Sequence, residues 1–137
     1  MNVDHSSNER RRAHAASGLT RAAFAATLVF APALTFAQDA AAGKTVFGQQ
    51  CAACHATTDS NGIGPGLKGI AGRKVGSGAN FRYSSAMKEV AYSWDAKTLD
   101  AFLEAPSKAI PGSAMPFAGL SDGKQRADVI AYMQTLK

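Results

Sequence analysis

Hydrophobic positions in residues 39–137 recur at helical spacing, and no stretch alternates with the two-residue period of a strand. Over residues 39–53, Ala42, Val46, Phe47 and Gln50 trace one face of a first helix. Asp39 is placed to cap it, and Gly43 is available for close packing. Ser84 or Ser85 opens a short helix through Val90. Ser93 or Asp95 opens another, with Leu99, Phe102 and Leu103 inward, and Pro106 ends it. Ser121 caps a last helix whose apolar face is Val129, Tyr132, Met133 and Leu136. Residues 61–80 hold seven glycines and a proline, which reads as loop. Ile63, Leu67, Ile70 and Val75 punctuate that loop, so it must pack on something. Residues 106–119 are loop again, with a turn at Pro111-Gly112 and Met115 between Ala114 and Pro116. No other long element exists, so the first and last helices must bury their faces on each other. Gly43 lets the backbones approach there, and Phe47 meets Tyr132. The reading is an all-α fold of short helices and long loops.

The first 37 residues differ from the rest. Arg10, Arg11, Arg12 and Arg21 make a basic start, and residues 22–37 (AAFAATLVFAPALTFA) carry no charge. A basic segment, an apolar segment and a small-residue site form a secretory signal, with cleavage expected after Ala37. Pro32 interrupts the apolar run, which is short for a membrane span of roughly 20 residues. A mature domain of residues 38–137 remains, without stable membrane insertion. Its 11 basic and 8 acidic residues leave a charge of +3. That mild balance fits an acidic protein partner or an anionic surface, and lacks the clustering of a nucleic-acid binder. A chain this small buries a modest share of its surface, and a large apolar cofactor would help to fill it.

Chemistry concentrates at Cys51-Ala52-Ala53-Cys54-His55. His5 and His14 fall in the leader, so the mature chain has two cysteines and one histidine. A structural zinc site needs four ligands, and no distant Cys or His supplies them. A thioredoxin-like dithiol needs a βαβ context, and strand signals are missing. A plain disulfide is open to an exported chain but leaves His55 without a purpose. C-x-x-C-H is also the signature of c-type haem attachment. The two thiols, about one helical turn apart, add to the two haem vinyl groups, and His55 falls under the iron as proximal ligand. One motif implies one haem c.

An iron held by one histidine has a second side, which electron carriers fill with Met or His and catalysts leave open. Met133 lies at core spacing with Val129 and Leu136, and Met87 lies on a short helix beside Lys88 and Glu89. Met115 instead sits in a proline-braced loop, IPGSAMPF, sixty residues after His55. It is the candidate second axial ligand.

The motifs GKTVFGQQCAACH, GIGPGLKGIAGRKVG, FRYSSAMKEVAYSW, TLDAFLEAPSKAIPGSAMPFAGL and RADVIAYMQTL stand in that order. Over residues 40–137 the chain thereby resembles the small soluble class I cytochromes c of the mitochondrial and cytochrome c2 type. The resemblance implies crossing N- and C-terminal helices, with short helices and long loops wrapped around one covalent haem. It matches Cys51 and Cys54 to the thioether cysteines, and His55 and Met115 to the axial ligands. Pro65 matches the proline whose carbonyl accepts from the proximal imidazole. Arg73, Tyr83 and Trp94 match residues around the buried propionate, and Phe117 matches the aromatic beside the exposed haem edge.

The departures are also informative. Phe102 stands where relatives often have a tyrosine near the methionine sulfur, and Met87 where they often have a polar amide. Gln50, Ser107, Ala114, Ser121 and Asp122 occupy places where relatives often carry lysine near the haem edge, and Lys44, Lys68 and Lys108 remain. The implied function is a soluble periplasmic one-electron carrier with His/Met ligation, and no enzyme. Its implied partners are a membrane or dehydrogenase donor and an oxidase or reductase acceptor. The alternatives are a catalytic or gas-binding haem protein with a labile methionine, or a haem subunit of a larger dehydrogenase.

Overall fold

A computed structural model describes residues 37–137. The leader reading falls on residues outside these, apart from Ala37. Five helices follow in order: α1 Ala40–Gln50, α2 Ser85–Glu89, α3 Ala96–Glu104, α4 Pro106–Ala109 and α5 Gly123–Gln134. Among the described residues the only strand-like pairing is one antiparallel bridge, Lys74 to Ser93. The fold is all-α, as the helical spacing requires.

Sequence-local capping sets most of the boundaries. Asp39 accepts from the N–H groups of Ala41 and Ala42 and starts α1. Ser84 caps α2 by accepting from Met87 N–H. Asp95 and Thr98 form a reciprocal capping box on α3. Three boundaries differ from the expected ones. α1 stops at Gln50 rather than running to residue 53, because the chain tightens into a separate turn at Cys51. Asp122, and not Ser121, caps α5, since its carboxylate takes the N–H groups of both Lys124 and Gln125. Pro106 ends α3 but also opens α4, where its missing N–H costs nothing at the first position of a helix.

α1 and α5 make the main helix–helix contact. Phe47 meets Tyr132 edge to face, with ring centroids 5.4 Å apart. Gly43 lies against the backbone of α5, where a β-carbon would fall inside the carbonyl of Asp128. Asp128 is itself buried and ties the two helices together. It accepts from Asp39 N–H at 2.9 Å and from Lys124 Nζ at 2.7 Å. Those hydrogen bonds, the lysine's first, hold its carboxyl below the usual aspartate value. Arg126 links α5 to α3 through Asp100 at 2.7 Å and to the carbonyl of Leu120 at 2.8 Å.

Within the glycine-rich loop, Leu67, Ile70 and Val75 are buried as their spacing requires. Ile63 is not: it is 76 % exposed. α5 also buries Ile130 beside Val129 and Met133, while Tyr132 and Leu136 remain half-buried.

Candidate functional site

Beyond Gln50 the chain makes one more turn instead of leaving α1. Cys51 N–H donates to Phe47 O at 2.8 Å, and His55 N–H donates to Cys51 O at 2.9 Å. This turn brings Cys51, Cys54 and His55 to one wall of an internal cavity of about 460 Å³. The two thiols are not joined to each other. Burial, with a smaller push from Cys54, raises the Cys51 thiol to about 11. A raised value is the opposite of the low-pKa thiolate of a redox dithiol. Among the described residues no cluster of three His, Cys, Asp or Glu could hold a metal ion.

Residues 62–66 position His55. Gly64 N–H donates to Cys54 O at 2.9 Å, and its α-carbon lies so close to the imidazole that a β-carbon would overlap the ring. His55 Nδ1 stands 2.8 Å from Pro65 O. A carbonyl only accepts, so Nδ1 carries the proton and Nε2 keeps a free lone pair for a metal.

The remaining walls come from further along the chain. Arg73 donates to Gly66 O at 2.9 Å and to Lys68 O at 3.2 Å. Trp94 is buried and held by its backbone, which donates to Arg73 O at 2.9 Å. Its indole tilts against Phe102, with centroids 5.0 Å apart. Tyr83 meets Phe81 edge to face at 4.9 Å. The Met115 loop is fastened on both sides: Ser113 N–H donates to Ile110 O at 3.0 Å, and Leu120 N–H donates to Leu103 O at 2.8 Å. Phe117 N–H donates to Met115 O at 2.9 Å and closes the loop on itself.

All nine residues singled out from the sequence line this one cavity: Cys51, Cys54, His55, Pro65, Arg73, Tyr83, Trp94, Met115 and Phe117. So do Met87 and Met133, so lining alone does not choose the second axial ligand. Met133 is locked into the core on α5, whereas Met115 sits in a loop. Sequence reasoning missed Arg82 and the exposed Ile63, both at the cavity. Neither has a local signal, because a polar loop residue and an interrupting isoleucine look the same whatever folds beside them.

The chemistry of the lining fits a haem. The cavity lies in the size range of small-molecule sites. Its walls are mostly apolar, and two thiols, an oriented imidazole and thioethers are present. Two arginines and no carboxylate border it, which suits a ligand that brings its own carboxylates.

Comparison with known proteins agrees. The family model described as cytochrome c matches residues 40–137. A cytochrome c from Tetrahymena pyriformis is 46 % identical over 98 residues, covering 72 % of this chain and 89 % of that protein. A cytochrome c2 from Rhodomicrobium vannielii is 42 % identical over 112 residues, covering 80 % and 89 %. The solved structure of cytochrome cH from Methylobacterium extorquens matches with a TM-score of 0.68 at 44 % identity, covering 71 % of this chain and 98 % of that one.

Proposed function

Because the chain belongs to the cytochrome c family, which carries one covalent haem c and transfers electrons, we propose that it is an exported one-electron carrier with His55 and Met115 as the two axial ligands. The observation that carries this reading is the single cavity that collects Cys51, Cys54, His55 and Met115 from two distant loops. The haem, when bound, supplies a one-electron iron couple.

The chain's own residues do the rest. Cys51 and Cys54 would hold the haem, each S–H adding across one vinyl C=C so that sulfur bonds one carbon and the hydrogen goes to the other. Pro65 O holds the His55 proton at Nδ1, which orients Nε2. Trp94, Leu99 and Phe102 exclude water from the inner wall. Arg73, Tyr83 and Trp94 border the cavity and would offer polar hydrogens to a carboxylate. With His55 and Met115 both holding the iron, a substrate would find no open position on it, and the protein would act as a carrier rather than an enzyme. The basic-then-apolar pattern of residues 1–37 supports export to a periplasm. Among the described residues no helix is long and apolar enough to cross a membrane.

Acidified organic extraction tests the covalent attachment. The colour is expected to stay with the protein, and free haem in the organic phase would contradict the reading.

Docking to redox partners should depend on salt only weakly. No lysine lines the cavity. Ala114, Pro116 and Ala118 are exposed beside Phe117, and Ile63 adds a large apolar surface at the same cavity. Apolar contact survives salt, whereas charge steering is screened beyond a Debye length of roughly 10 Å at 0.1 M. The second-order rate with the native partner should fall modestly from low to physiological ionic strength. A fall of several hundredfold would reveal a strong basic patch and refute this.

A further inference from the structure

We propose that Arg82 is a positioning residue for the haem, holding at the cavity mouth the carboxylate that Arg73, Tyr83 and Trp94 do not hold, and thereby setting the carrier's reduction potential. This rests on the haem-carrier reading above. Haem carries two propionates, and two arginines of different exposure border the cavity. Arg73 is half-buried and tied to two backbone carbonyls. Arg82 is exposed, yet it borders the same cavity.

Its position is fixed by its neighbours. Phe81, Arg82, Tyr83 and Ser84 all border the cavity, so this segment runs along its rim. The edge-to-face pair of Phe81 and Tyr83 on either side braces the rim, and Ser84 then caps α2. Among the described residues no hydrogen bond or ion pair occupies the Arg82 guanidinium. The titratable groups bordering the cavity besides Arg82 are Arg73, His55, Tyr83, Cys51 and Cys54, and none is a carboxylate. A ligand carboxylate at the rim therefore meets a cation without competition from a protein acid.

Removing that cation has two consequences, which oppose each other at low pH and leave only the first at high pH. Loss of a nearby positive charge favours ferric over ferrous iron and lowers the potential. The carboxylate, left against an apolar wall, rises above its ordinary value of about 4 and titrates in the working range. Ferric iron favours its ionised form, so the potential then falls as pH rises through about 5 to 8. Both effects shrink with added salt, because Arg82 is exposed and screened.

The test is voltammetry of the purified holoprotein from pH 5 to 8, at low and high ionic strength, without any partner. Arg82→Ala is expected to keep one covalent haem and the wild-type spectrum, to show a lower potential, and to gain a pH-dependent slope that wild type lacks. Arg82→Lys should restore most of the potential, and Lys88→Ala, whose side chain is exposed and does not border the cavity, should change nothing. Coincident potentials for Arg82→Ala and wild type across that range at low salt would overturn the proposal. A wild-type protein without covalent haem would overturn the carrier reading itself, a separate outcome seen before any variant is made.

Discussion

Met115→Ala will abolish the weak far-red sulfur-to-iron band of the oxidised protein and open the iron to carbon monoxide and cyanide. Three described methionines border the cavity, and their settings separate them. Met133 is 5 % exposed and packs in the core with Val129 and Ile130 on α5, so ligation would have to pull a helix out of its packing. Met87 lies on a five-residue helix fixed by the Ser84 cap. Met115 is in a helix-free segment fastened at Ile110 and Leu103, which holds the loop at the cavity. Among the three, substitution removes the one thioether carried by a loop rather than a helix, so loss of the band should be complete. Met87→Ala and Met133→Ala should retain it, and its disappearance in either of those two would move the ligand there. Met115→His should keep the iron closed at a lower potential, since imidazole favours ferric iron more than thioether does. Phe102, buried against Trp94, offers no hydroxyl to that side of the cavity. A wild-type protein that already binds carbon monoxide readily would favour the ligand-binding alternative over a closed carrier.

Gly43→Ala will cost about 3 kcal/mol of stability, the upper part of the usual range for overpacking. The added β-carbon would meet the carbonyl carbon and oxygen of Asp128 and the amide of Val129, all backbone atoms of α5. No side chain can rotate away, so the two helices must separate. Separation would in turn weaken the Phe47–Tyr132 contact and the hydrogen bond from Asp39 N–H to Asp128. For a domain near 100 residues the loss corresponds to a melting-temperature fall of roughly 12–24 °C. Gly48 provides an internal control on the same helix. Its β-carbon would meet nothing within 4 Å, so Gly48→Ala should stabilise by about 0.5–1 kcal/mol through helix propensity alone. Thermal unfolding of the two holoproteins decides the matter. Equal melting temperatures for Gly43→Ala and wild type would mean that the crossing is looser than this geometry.

What the sequence by itself determined is what depends on near neighbours. Helical spacing and caps located four of the five helices, because the groups that start a helix lie within three or four residues of each other. The attachment motif was legible for the same reason: Cys51, Cys54 and His55 share one turn of chain. The glycine at position 43 and the aromatic at 47 marked the crossing face, since close approach needs a missing side chain. Tertiary structure alone decided the rest. Ile63, Leu67, Ile70 and Val75 have the same apolar character in one glycine-rich loop, yet three are buried and Ile63 is exposed at the cavity. Ser121 and Asp122 are both competent caps, and the direction in which the chain enters α5 gave the role to Asp122. Arg82 reads as a solvated loop charge until the segment 81–84 is seen along the rim of the cavity. In each case the outcome depends on which distant segment folds over the residue, and that partner is selected by the burial of the whole chain rather than by anything written beside the residue.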